Sequence, residues 1–112
     1  MDPAKLEFIR GTLDVLILKS LVWGPLHGYG ITNFIRRQSD DAFLVEEGTL
    51  YPALVRLEQK GWIKGTWQKT ENNRDAKYYA VTKSGLKGLH QETARWRTLA
   101  GLVDKLLADE SL

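Results

Sequence analysis

The apolar residues keep helical spacing from the first third of the chain to Leu57, lose it between Trp62 and Thr82, and regain it afterwards. That double change of period narrows the possible folds more than any other feature of the sequence. In "LEFIRGTLDVLILKSLVWG", Leu6 to Gly24, the residues Ile9, Leu13, Leu16, Ile17 and Leu21 form one stripe, and Gly24-Pro25 ends it. This predicts a core helix. "HGYGITNFIRR", His27 to Arg37, sets Ile31, Phe34 and Ile35 on one side and ends in cations that suit a helix C-terminus, so a shorter helix is expected to finish near Gln38. Ser39 to Glu47 reads as a connection in which "AFLV" offers a few residues of strand. In "EEGTLYPALVRLEQKGW", Leu50, Leu54 and Leu57 mark a third helix, closed by Lys60 and a C-cap Gly61.

The segment with a different period holds two aromatic and β-branched runs, "WIKGTW" and "AKYYAVT", around the polar "QKTENNRD" and its Asn72-Asn73 turn signal. A β-hairpin with a long basic tip follows. From Thr82, a suitable N-cap, to about Ala108 the pattern is helical again through Leu86, Leu89, Trp96, Leu99, Val103 and Leu106, with Gly85 and Gly88 weakening the first turns. The fold class is therefore mainly α with a β-hairpin: a winged helix-turn-helix over residues 1–81 and a long C-terminal dimerisation helix over 82–112.

Pro52 stands inside the leucine pattern of the third helix, where an interior proline removes a hydrogen bond. With Thr49 near the N-cap, Pro52 falls in the first turn and marks the start of the helix. Thr49, Tyr51 and Pro52 then sit at an exposed helix end whose amides favour a phosphate, with Arg56 continuing the polar face. A capped helix with a merely solvated outer face is the plain alternative. Lys69, Arg74 and Lys77 near the hairpin tip are each able to neutralise a phosphate, while Tyr78 or Tyr79 either supports strand pairing or meets a sugar. The last helix offers a wide apolar face with little core left to cover. A symmetric dimer is the expected cover, through Leu89, Trp96, Leu99, Val103 and Leu106 together with Leu13 and Ile17 of the first helix; packing within the chain competes with it. Trp96 reads either as interface filler or as a stacking platform for a flat aromatic ligand.

Composition excludes more than it selects. The 112 residues make one small domain, and the formal charge of +2 is too small to imply an acidic partner without its distribution: Lys64 to Lys77 is net basic, whereas Asp40 to Glu47 carries only carboxylates. No apolar run approaches the roughly 18 residues of a membrane span, and no secretory signal is evident, so a cytoplasmic protein without membrane contact is expected. There is no cysteine, the only histidines are His27 and His90, and no phosphate loop or nucleophile elbow occurs. An enzyme, a metal site and a cofactor are not expected. The rival to a DNA reader is a winged helix that binds another protein.

"GTLDVLILKSL", "GPLHGYGI", "EEGTLYPALVRLEQKGWI" and "AKYYAVTKSG" together resemble the PadR family of bacterial transcriptional regulators over nearly the whole chain. "ENNRDAKYY" and "ETARWRTL" are similar to its small subgroup, especially a set abundant in acidobacteria. The resemblance implies a homodimeric winged-helix repressor whose terminal helix crosses onto its partner's first helix. It also implies that double-stranded DNA is bound through Thr49, Tyr51 and Pro52 and through the wing residues Arg74 and Lys77. Tyr29 matches a family tyrosine that is either structural or touches the backbone. Some small members bind flat aromatic compounds beside a tryptophan placed as Trp96 is. Asp75 departs from the family pattern of a second basic residue after the wing arginine. It either weakens the wing's hold on DNA or pairs with Arg74 or Lys77.

Overall fold

The computed structural model describes residues 11–108, so the part of the first helix around Ile9 lies outside the described residues. The elements run α1 (Thr12–Ser20), β1 (Leu26–His27), α2 (Gly28–Gln38), α3 (Glu47–Gln59), β2 (Ile63–Lys69), β3 (Asp75–Val81) and α4 (Lys83–Leu107). Mainly helical, with a hairpin and a long last helix, the chain has the architecture its periodicity predicts. Ile17 and Leu18 of α1, Ile31 of α2, Leu50, Leu54 and Leu57 of α3 and Ile63 of β2 are all buried in one core. Each contributes about 1.5–3 kcal/mol relative to an exposed position.

The sheet has three strands, in the order β1-β3-β2. The third strand was not anticipated. Leu26 pairs with Tyr79 and His27 with Tyr78, and this two-residue strand occupies the free edge of the hairpin. "AFLV" forms no strand: Asp40 and Asp41 both take left-handed conformations that turn the chain, after which Phe43 and Val45 pack against the core from a coil. The hairpin tip is also shorter than expected, because Gln68, Lys69 and Asp75 belong to the strands. Asn73, at φ 59°, makes the turn, with its amide donating to the Thr70 carbonyl at 2.9 Å.

Two predicted boundaries coincide with the structure. Gly61, at φ 76°, follows the C-cap Lys60 of α3, and the Thr82 hydroxyl caps α4 by accepting from the Gly85 amide at 3.0 Å. The glycines of α4 do something other than weaken it. A Cβ on Gly88 would lie 2.7 Å from the Trp62 ring, and one on Gly85 would collide with the Trp62 carbonyl. Their bare backbone lets the start of α4 close over the entry to the hairpin.

Candidate nucleic-acid interface

Helix α3 begins earlier than the proline argument places it. Glu46 is the N-cap, and its carbonyl accepts from the amides of Thr49 and Leu50 at 3.0 and 2.9 Å. Thr49 is thus already helical, and Pro52 stands in the second turn. The open amides lie beside Glu46 and Glu47, whose carboxylates oppose a phosphate at the helix tip. Thr49, Tyr51 and Pro52 instead line the exposed flank of the first two turns. Proline is tolerated because the residue four back is the exposed Gly48, whose carbonyl loses its helical donor but stays in reach of water.

Of Thr49, Tyr51 and Pro52, Tyr51 reaches a cleft of about 540 Å³ between the start of α2, α3 and the hairpin, and Thr49 and Pro52 lie outside its lining. Tyr29, Tyr51, Trp67, Arg74, Lys77 and Tyr79 are among its lining. Local sequence explains why they converge. His27 caps α2 through its Nδ1, which accepts from the Gly30 amide at 2.9 Å, and so fixes where Tyr29 emerges. Gly28 lies against Leu50 and Tyr51, with its hypothetical Cβ 3.5 Å from the Tyr51 hydroxyl, which brings α2 close to the flank of α3. Trp67 escaped the sequence reading as a site residue, although it is 71% exposed beside two exposed tyrosines. Its signal was strand alternation: it shares a face with Lys69 and lies directly opposite Lys77 on β3.

The cations are less free than their sequence positions suggest. Arg56 does not face the cleft's aromatic wall; its Nη2 donates to Asp14 on α1 at 3.1 Å, where it neutralises a buried carboxylate. Lys69 pairs with Asp75 at 2.9 Å across the end of the hairpin, so the partner of Asp75 is neither Arg74 nor Lys77. Lys77 reaches Glu58 on α3 at 3.1 Å. Hydrogen bonding to Glu58 holds the Lys77 ammonium above the ordinary lysine pKa, while burial pushes the Tyr79 phenol up. Of the wing cations named from the sequence, Arg74 alone makes no ion pair among the described residues.

Trp96 is half-exposed and lines a shallow hollow of about 280 Å³ with Val15, Arg95 and Leu99, where α4 passes the start of α1. The proposed dimer residues divide into two groups. Leu13, Ile17 and Leu89 are buried in the chain's own core, which corrects their assignment as partner-facing: their area is already used where α1 meets α4. Trp96, Leu99, Val103 and Leu106 are exposed, as are Leu102 and Leu107.

A hairpin beside an exposed helix flank, in this order of elements, has close counterparts. Residues 17–91 match the transcriptional regulator PadR-like family. The chain belongs to that family. A transcriptional regulator from Clostridium thermocellum superposes with a TM-score of 0.79 at 34% identity, over 87% of this chain and 94% of that one. A transcriptional regulator of Mycobacterium tuberculosis is 30% identical over 105 residues, 94% of this chain and 92% of its own. The negative transcriptional regulator PadR of Bacillus subtilis is 30% identical over 78 residues, which cover 70% of this chain and 43% of the longer protein. PadR-like proteins are transcriptional regulators, not enzymes, and the role implies DNA binding.

Proposed function

We propose that this PadR-like protein is a sequence-specific, cytoplasmic repressor that binds double-stranded DNA as a homodimer. Residues 1–81 form its DNA-binding unit and 82–112 its dimerisation helix. The flank bearing Thr49, Tyr51 and Pro52 enters the major groove, and Arg74 meets the adjoining backbone. The observation that carries this reading is the convergence of Tyr29, Tyr51, Trp67 and Arg74 on one cleft between α3 and the wing. Hydroxyl and guanidinium donors suit phosphates, and the aromatic faces suit sugars and thymine methyls. The word "negative" in the name of the Bacillus subtilis relative supports repression.

The test is retention of fragments of its own genome at increasing salt. Binding is expected to prefer a few promoter sequences and to weaken steeply between 50 and 200 mM salt, as counterion release requires. Tyr51→Ala, at an exposed position, is expected to reduce affinity about tenfold without unfolding the chain. A monomer that retains no DNA at any salt concentration would instead identify a protein-binding winged helix.

A second reading concerns Trp96. Its half-exposed ring beside Val15 and Leu99 suits a flat aromatic effector held between subunits. Quenching of tryptophan emission by planar aromatic compounds, lost in Trp96→Ala, would support it. Unchanged quenching in that variant would assign the signal to Trp23, Trp62 or Trp67.

A further inference from the structure

We infer that Lys77 is a strut rather than a phosphate contact: with Glu58 and Gly65 it fixes the wing to the recognition helix and so sets where Arg74 meets DNA. The inference rests on the DNA-binding reading above for its consequence, but its geometry stands independently. Glu58 and Lys77 are 19 residues apart in sequence and join α3 to β3 at 3.1 Å. Their side chains are only 34% and 32% exposed, whereas the Lys69–Asp75 pair at the hairpin's end is 61% and 70% exposed. Partial shielding strengthens the pair, because water competes less for both charges.

The path of the lysine is shaped as well as its end. On the face that carries Trp67 and Tyr79, β2 has Gly65, opposite Tyr79. The stem of Lys77 lies across that glycine; a Cβ there would be 3.2 Å from its Cγ and Cδ and would collide with Cε. The ammonium is 5.5 Å from the centre of the Tyr79 ring, itself buried. A bare backbone below, an aromatic ring beside and a carboxylate at the end hold the side chain toward α3. A lysine held in this way has its charge matched within the protein. It releases little counterion on DNA binding, in contrast to Arg74, which makes no ion pair among the described residues.

Strand β1 pairs with Tyr78 and Tyr79, and Ile63 and Tyr79 are buried with the leucines of α3, so the hairpin is already held from its base as far as Tyr78. The part beyond Tyr78 can still swing at its tip, where Arg74 is, and Lys77 is the first residue of β3 in that part. Holding β3 midway along its length limits that swing and reduces the ordering needed on binding.

The experiment combines the salt dependence of DNA binding with amide hydrogen exchange in free full-length protein, for the wild type, Arg74→Met, Lys77→Met and Glu58→Gln. Arg74→Met is expected to reduce the slope of log K against log salt by about 0.9 and to leave exchange in β3 unchanged. Lys77→Met is expected to keep the wild-type slope, weaken binding roughly threefold to fivefold, and speed exchange on the tip side of β3, from Asp75 to Lys77. Glu58→Gln is expected to reproduce the faster exchange, although it removes no positive charge. The charge-swapped Glu58→Lys, Lys77→Glu double variant should recover slow exchange relative to either single swap. A slope loss of about 0.9 in Lys77→Met, with exchange unchanged in both strut variants, would overturn the inference and make Lys77 an ordinary phosphate contact. If the wild type binds no DNA, the repressor reading fails, while the exchange results still decide whether the strut exists.

Discussion

Gly88 and Gly101 occupy the same helix and would respond oppositely to a methyl group. Gly88→Ala is expected to lower stability by about 1–3 kcal/mol, because its Cβ would meet the Trp62 ring and overpacking outweighs the gain in helix propensity. Nothing lies within 4 Å of a Cβ on Gly101, so Gly101→Ala is expected to gain up to about 1 kcal/mol. Thermal melts of the two variants decide it, and a loss at Gly101 would reveal a partner pressing on that backbone. Lys77 and Tyr79 likewise carry a pH signature. Both pKa values are raised, by the Glu58 hydrogen bond in one case and by burial in the other. The folded chain therefore holds these protons more tightly than the unfolded chain. Their stabilisation is complete below about pH 10 and is lost as pH rises through the folded values. Melting temperatures between pH 8 and 11 should fall at the alkaline end, less steeply in Lys77→Met.

Between elements, α1 and α3 are joined by Asp14 and Arg56. Arg56→Met leaves a carboxylate that is 11% exposed without its cation, at an expected cost of about 1–2 kcal/mol in urea unfolding, recovered largely in Asp14→Asn, Arg56→Met. The same variant should keep the wild-type salt slope for DNA, which separates a structural arginine from a phosphate-binding one. Within α3, Pro52→Ala restores a donor for the Gly48 carbonyl. It is expected to raise stability by roughly 1–3 kcal/mol while weakening DNA binding, since the rigid ring stands on the exposed flank. Equal affinity in that variant would mean that the proline is not at the DNA surface.

The whole molecule is elongated. It measures 60 × 31 × 22 Å with a radius of gyration of 15.9 Å, against about 13 Å for a compact chain of this length. Helix α4, about 38 Å long at the usual rise, accounts for the shape. Its first turns, through Leu89, belong to the core; beyond them Leu99, Leu102, Val103 and Leu106 are exposed. Burying such a row is worth several kcal/mol, which favours a symmetric pair. Light scattering should give twice the chain mass, and Leu102→Asp, Leu106→Asp should give a folded monomer with much weaker DNA binding. A wild-type monomer would leave the exposed row to another partner.

Sequence periodicity was enough to place the helices, the hairpin and the long last helix, because burying one face of each element demands a fixed spacing of apolar residues. The caps at Gly61 and Thr82 were legible for the same local reason, since a left-handed residue and a side-chain acceptor act within one turn. Where α3 begins was not, because the N-cap rests on the Glu46 backbone, which offers no side-chain signature. Strand β1 was also hidden: two residues carry no period, and only the edge of β3 makes Leu26 and His27 a strand. The fate of each cation lay furthest from the sequence. Arg56, Lys69, Lys77 and Arg74 look alike as letters, and three of them find carboxylates that folding alone brings within reach. Coulomb attraction depends on distance in space, so tertiary structure decided which of the four was left without an ion pair among the described residues.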